Sequence, residues 1–426
     1  MPWLKSKLPI FAVLASVGAA CVMFGRTTSA VTPAALMVSP RFEPAPCPFT
    51  PAADQVEGLT VSCGFVLVPE NRSRPEGNWI RLAVAIFKSP TVATRPPLIF
   101  LGGGPGTFVL ERFGPLVSGA LTPGLTADVW GLSYGTRLAL EVERDFPEAV
   151  HRLVLDSALP PPVNQVTDRA ANAERAFRVL FDGCAADLAC AAAYPHLETV
   201  FYDLVADFNE TPASFVAQHP RTGVVYNVVL TGDRLVRTLV DALTDASLVP
   251  FVPLVAASIR AGDLTLMSQA TSLLTFKDDH SRGMFYSVSC ADQVSRTSAP
   301  QLFAARRTVR PEIAEALGED ARLRICAGWG AAEVPRSAAA PVVSGVPALI
   351  LAGEYDPLTP PAYAEIAGRT LRNSRWFEFP GIGHAVQWTS PCAYAVMIDF
   401  LAAPQLAPDA SCMKDMRPPA WIIPGP

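Results

Sequence analysis

Five residues constrain this chain more than any others: Gly131-Leu132-Ser133-Tyr134-Gly135. Ala127 to Trp130 before them read as a strand, and Thr136 to Arg144 after them as a helix. A serine set between two such glycines, on a sharp turn from strand to helix, sits in a strained backbone conformation with its hydroxyl exposed. The amide of the next residue, Tyr134, then points at the charge that develops on an attacked carbonyl oxygen. Such a turn needs a strand beneath it, so the chain must build a sheet around this point.

Free serine is a weak nucleophile at neutral pH, and it requires a base and an acid that orients the base. Where the serine lies on a turn of this kind, the acid and then the histidine follow it in the chain. Asp356, in Gly353-Glu354-Tyr355-Asp356-Pro357, follows the apolar run Val346 to Ala352 and so occupies a loop at the carboxyl end of a strand. Glu354 is the alternative acid, and a plain turn or helix cap is the structural alternative for Asp356. His384 is the only histidine after Asp356, and it lies just beyond the run Arg375 to Phe379. A third loop, Gly102-Gly103-Gly104-Pro105-Gly106, follows the run Pro97 to Leu101. It lacks the GxGxxG and lysine patterns of phosphate loops. It fits an oxyanion loop in which an amide of Gly103 or Gly104 works beside that of Tyr134.

These runs, with Val150 to Leu155, are short buried strands separated by helical stretches, which predicts an α/β fold with a mostly parallel sheet flanked by helices. Leu59 to Pro69 and Trp79 to Lys88, joined through Gly77-Asn78, predict a hairpin. Residues 31–58 are rich in Pro and Ala and read as a leader on the surface. From about 160 to 345 the pattern is mostly helical, as in Asp168 to Phe181 and Asp233 to Leu243. That predicts a helical cap inserted between two strands of one sheet. The expected parts are a signal peptide at 1–30, core at 31–160, cap at 161–345, core again at 346–412, and a tail at 413–426.

The length of 426 residues suits one large domain with an insertion, or two domains. The net charge of -5, with both signs interspersed, offers no basic block for nucleic acid. Five scattered histidines, with no CxxC or HExxH, give no metal signature, and no cofactor is expected. At the N-terminus, Lys5 and Lys7 precede the uncharged stretch Leu8 to Phe24, then Thr28-Ser29-Ala30. This reads as a cleavable export signal, with a retained anchor as the alternative. Cys21 after Gly18-Ala19-Ala20 is a weaker lipoprotein-like site. No other stretch could span a bilayer. Eight cysteines lie beyond the signal, an even number that fits disulfides in an oxidising compartment. Sequence alone does not fix their pairing; neighbour pairing is the simplest: Cys47–Cys63, Cys184–Cys190, Cys290–Cys326 and Cys392–Cys412. The expected location is secreted, periplasmic or cell-envelope, and the expected state a monomer. Asn71-Arg72-Ser73 and Asn209-Glu210-Thr211 are glycosylation sequons, which matter only in a eukaryotic secretory pathway.

Together the motifs resemble the tripeptidyl-aminopeptidase and prolyl-aminopeptidase branch of the α/β-hydrolases. The matching pieces are Cys63 to Glu70, Gly103 to Gly106, Gly131 to Thr136, Gly353 to Pro360, and Gly383-His384 followed by Ser390-Pro391-Cys392. The resemblance implies an α/β-hydrolase fold with a helical cap, and removal of residues from the free N-terminus of short peptides. It also implies that Asp292, in Cys290-Ala291-Asp292, pairs with the substrate ammonium, although a solvated carboxylate is an equal reading; Glu354 is a second candidate for substrate binding. One departure stands out. Only residues 107–130 separate the glycine loop from the serine turn, where the family places a helix, a strand and another helix. A strand lost there would leave two buried sheet edges unpaired, unless their neighbours close up. Three readings therefore stand side by side: an aminopeptidase, an esterase or lipase-like hydrolase with the same triad, and a catalytically impaired shortened member.

Overall fold

The computed structural model describes residues 41–72, 74–88, 96–114, 127–276, 279–331 and 334–423. The expected signal with Cys21, the stretch 115–126, Ser73 of one sequon, and residues 424–426 lie outside the described residues.

Strands β1 (Arg41–Pro44), β2 (Val61–Pro69) and β3 (Trp79–Phe87) form an antiparallel sheet in that order. The hairpin turn is closed by Glu70 N donating to Asn78 O. β1 departs from the leader expected at 31–58: it pairs with Gly64–Leu67. Its Phe42 lies close over Gly64, where a side chain would collide, and an open β2 edge would otherwise be left.

Next come β4 (Leu98–Leu101), α1 (Val109–Phe113), β5 (Ala127–Leu132), α2 (Tyr134–Asp145) and β6 (Val150–Asp156). The inserted segment follows. It opens with α3 (Gln165–Ala186), α4 (Leu188–Ala193) and α5 (Leu197–Glu210). A hairpin of β7 (Ala213–Gln218) and β8 (Val225–Leu230) comes next. The rest is α6 (Gly232–Leu243), α7 (Val252–Arg260), α8 (Thr265–Thr275), α9 (Arg282–Asp292), α10 (Ala299–Arg306), α11 (Pro311–Ala316) and α12 (Asp320–Trp329). The segment is therefore not wholly helical. The hairpin alternates, with Phe215, Ala217, Val228 and Leu230 turned inward. The chain then returns through β9 (Ala348–Gly353), α13 (Pro361–Gly368), β10 (Ser374–Phe379), α14 (Val386–Thr389) and α15 (Pro391–Ala402).

Five strands form a parallel sheet in the order β10-β9-β6-β5-β4. Both faces are covered, which is why the strands read as continuous apolar runs. Val129, Leu153, Leu155 and Ile350 pack on one face with Ala139 and Leu140 of α2 and Ala364 of α13. Trp130, Val154, Leu349 and Leu351 pack on the other with Val396, Met397 and Phe400 of α15. Each such fully buried side chain contributes about 1.5–3 kcal/mol. Among the described residues no ladder joins β4 to β3.

The inserted segment has its own core, including Phe177, Leu180, Phe201, Leu235 and Leu239. Trp421 of the expected tail packs into that core, and Ile422 N donates to Pro250 O, so the tail is built into the fold. Disulfides join Cys47–Cys63, Cys184–Cys190, Cys290–Cys326 and Cys392–Cys412, each cysteine to its neighbour in sequence. No helix among the described residues is long and apolar enough to cross a membrane.

Candidate active site

Four loops meet at the carboxyl end of the parallel sheet. Ser133 occupies the turn between β5 and α2, with φ 57° and ψ -121°, a conformation non-glycine residues rarely adopt. The turn is tight because α2 starts directly against β4. A Cβ on Gly135 would lie 2.0 Å from Leu101 O, so only glycine fits. Ser133 N donates to Asp156 O at 2.9 Å, and the Thr136 hydroxyl donates to Ser133 O at 2.6 Å. Both bonds fix the turn from outside it.

Asp356 lies after β9 and is fully buried. One carboxylate oxygen accepts from the amides of Leu358 (2.7 Å) and Thr359 (2.9 Å); the other accepts from the Thr359 hydroxyl (2.6 Å) and pairs with His384 Nδ1 (2.7 Å). Burial alone would raise its pKa. The positive imidazole beside it and these hydrogen bonds outweigh burial and bring it down to about 2. Burial works against the charged form of His384, but the Asp356 charge and hydrogen bond prevail and raise its pKa. With Asp356 ionised, Nδ1 carries the proton and Nε2 is free to accept one. Among the described residues the Ser133 hydroxyl makes no hydrogen bond. Bonds of this kind tighten when substrate binds.

The glycine loop leans on the nucleophile. A Cβ on Gly103 would lie 2.7 Å from Ser133 Cβ and 2.9 Å from Leu132 O. That closeness brings the glycine loop against the Ser133 turn, as the sequence suggests for an oxyanion loop. Gly104 adopts φ 115° and precedes a cis Pro105. Gly103→Ala must push the loop off Ser133. The expected outcome is a fall in kcat of about 10²–10³-fold, read with p-nitrophenyl acetate, because one oxyanion donor is displaced.

The inserted segment grips these loops. Ser281 N donates to Gly106 O, and Phe108 N donates to Asp279 O. Arg112 pairs with Asp279 at 2.7 Å, and His384 N donates to Thr244 O at 2.8 Å. Arg175 of α3 donates to the main-chain oxygens of Glu354 and Asp356, both at 2.8 Å. Arg175 and Thr359 were not singled out from sequence. Thr359 was findable, since an aspartate followed by a proline loop favours side-chain bonds to amides two and three residues on.

Two expected binding residues are placed otherwise. Asp292 is buried and already held by Arg137 (2.8 and 2.9 Å), Arg296 (3.1 Å) and the Tyr134 hydroxyl (3.1 Å). A carboxylate compensated by two guanidinium groups has little left for a substrate ammonium. Its observed work is to fasten α9 to α2. Glu354 turns its carboxylate to Gly381 N at 2.7 Å, bracing the loop that carries His384.

The model of the TAP-like protein family matches residues 314–412, the stretch that carries Asp356 and His384. Over that stretch the chain resembles the TAP-like proteins. Serine protease Hip1 of Mycobacterium tuberculosis and that of Mycobacterium bovis are each 26% identical to this chain over 279 residues, covering 60% of this chain and 51% of theirs. The chain thus spans about half the length of the curated relatives it matches. Among solved structures, a proline iminopeptidase of Mycobacterium smegmatis shows 14% identity and a TM-score of 0.29, covering 86% of this chain and 99% of that one. A thermophilic esterase of Thermogutta terrifontis shows 14% identity and a TM-score of 0.33, covering 80% and 99%.

Proposed function

We propose that this hydrolase is an exported serine peptidase that releases residues from the free N-terminus of short peptides. The observation that carries the catalytic part is the Asp356–His384 pair, bonded at 2.7 Å, at the same edge of the sheet as a serine on a strained strand–helix turn. Ser133 attacks the peptide carbonyl while His384 Nε2 takes the hydroxyl proton. Asp356 holds the ring and stabilises its charged form. The amides of Gly103 and Tyr134 receive the oxyanion, each such donor contributing about 3 kcal/mol. His384 then gives its proton to the leaving amine, and water releases the acyl group from Ser133.

The peptidase part rests on the TAP-like match and the similarity to serine protease Hip1. Four disulfides fit an oxidising compartment outside the cytosol. The ammonium-recognising group is not Asp292 in this reading, since that carboxylate is already engaged.

The test is a fluorophosphonate probe followed by paired substrates. Covalent labelling should be lost in Ser133→Ala. Alanyl and prolyl p-nitroanilides with a free N-terminus should turn over at least about tenfold faster than their N-acetylated forms. Equal rates would remove the aminopeptidase assignment. Faster turnover of short p-nitrophenyl esters than of any anilide would make it an esterase.

A further inference from the structure

Asp156 ends β6 and Ser157 follows it; neither belongs to the roles described so far, yet they lie between the Ser133 turn and the His384 turn. Asp156 is fully buried, as is Ser157. The main-chain oxygen of Asp156 accepts from Ser133 N. Its carboxylate accepts from Val386 N at 2.9 Å and Gln387 N at 3.1 Å, just beyond His384. The Ser157 hydroxyl donates to the same carboxylate at 3.0 Å and accepts from Ala385 N at 2.9 Å. Ser157 and Ala385 both have positive φ, 56° and 63°, so each needs outside bonds to hold it there. Four consecutive amides, from His384 to Gln387, are thus all taken by groups outside their own turn: Thr244 O, Ser157 Oγ, and the two oxygens of Asp156.

We infer that Asp156 and Ser157 form a positioning clamp that registers the His384 turn against the Ser133 turn, with the Asp156 charge helping to stabilise the protonated imidazole. This rests on the serine-hydrolase reading of the triad. The geometry supports both halves. One residue bonds to the nucleophile's amide through its main chain and to the base's turn through its side chain. It also places a second carboxylate near His384 without touching the ring. The charged groups acting on His384 are Asp356 and Asp156, which raise its pKa, and Arg112 of α1, which lowers it. The charge acting on Asp156 is that of His384 itself; burial raises the Asp156 pKa against its hydrogen bonds, to about 6. The carboxylate therefore ionises over the range where a histidine base is switched on.

The experiment compares wild type, Asp156→Asn, Asp156→Glu and Ser157→Ala. Each preparation is normalised by end-point fluorophosphonate titration, and p-nitrophenyl acetate is the substrate from pH 4 to 9. Asp156→Asn keeps one oxygen for Val386 N but turns an amide NH2 toward Gln387 N. Its kcat per active site should fall about 10²-fold, the scale expected for a displacement near 1 Å, with KM changed less than about threefold. Its acid limb should move to lower pH, because a negative charge that favours the imidazolium is gone. Asp156→Glu keeps the charge but lengthens the arm, so it should hold the acid limb near wild type while kcat still falls. Ser157→Ala should lower kcat about tenfold with the acid limb unmoved, and it stands in should Asp156→Asn not fold. A lower Tm with kcat per site and acid limb both at wild-type values would overturn the clamp. A wild type that is neither labelled nor active would remove the hydrolase reading and the clamp with it, and so differs from a labelled wild type with indifferent variants.

Discussion

Asp356→Asn should lower kcat by about 10⁴-fold without unfolding the protein, the scale known for losing the acid's tautomer control. The geometry explains why so small a change is so large in effect. The oxygen bonded by the amides of Leu358 and Thr359 would stay an oxygen in asparagine, so the loop keeps both bonds. The side that faces His384 Nδ1 would become an NH2. Two donors cannot face each other, so the ring must take the tautomer with its proton on Nε2, toward Ser133. That ring cannot accept the serine proton. The check is single-turnover acylation by p-nitrophenyl acetate together with a circular-dichroism melt. A loss of under tenfold with an unchanged melt would mean that Glu354 or another carboxylate orients the ring.

Arg137→Met should destabilise the protein by about 3–5 kcal/mol, or roughly 10 °C in Tm. The guanidinium is almost wholly buried. It bonds both oxygens of Asp292 and the main-chain oxygens of Pro160, Pro161 and Val163. Methionine would fill part of the space but leave the Pro161 and Val163 carbonyls without the donor they have here, and Asp292 with only Arg296 and the Tyr134 hydroxyl; buried polar groups that lose partners are expensive. Adding Asp292→Leu should recover part of the loss, since removing both charges is milder than orphaning one. A thermal-melt cycle over the two singles and the double gives the coupling. A loss under about 1 kcal/mol for Arg137→Met would show that the contact between α2 and α9 is held by packing instead.

The candidate catalytic residues were legible because their chemistry forces local patterns. Gly131 and Gly135 flank Ser133 because α2 begins against β4, and Asp356 and His384 each follow an apolar run that ends at the same edge of the sheet. What was not legible depended on distant partners. Asp292 reads as an exposed acid until Arg137 and Arg296 are seen around it. Asp156 reads as the residue just past the apolar run Val150 to Leu155, and its importance comes from amides 230 residues later in the chain. β1 is a four-residue strand whose sequence, Arg-Phe-Glu-Pro, carries little strand signal; the open edge of β2 makes it a strand. The β7–β8 hairpin was readable, with a short alternating run before a turn ending at Gly223 and a Val-rich run after it, but the helices around it dominated the pattern.

The break between β3 and β4 means that, among the described residues, the β1-β2-β3 ladder and the five-stranded parallel ladder share no rung. The smaller has a modest core of Val61, Cys63 and Phe87, and the Cys47–Cys63 bridge ties its middle strand to the preceding loop. It can open without breaking a single rung of the ladder that carries the triad. Denaturation should then proceed in two cooperative steps, with the hairpin leaving first and the catalytic strands later, and a single midpoint would describe neither.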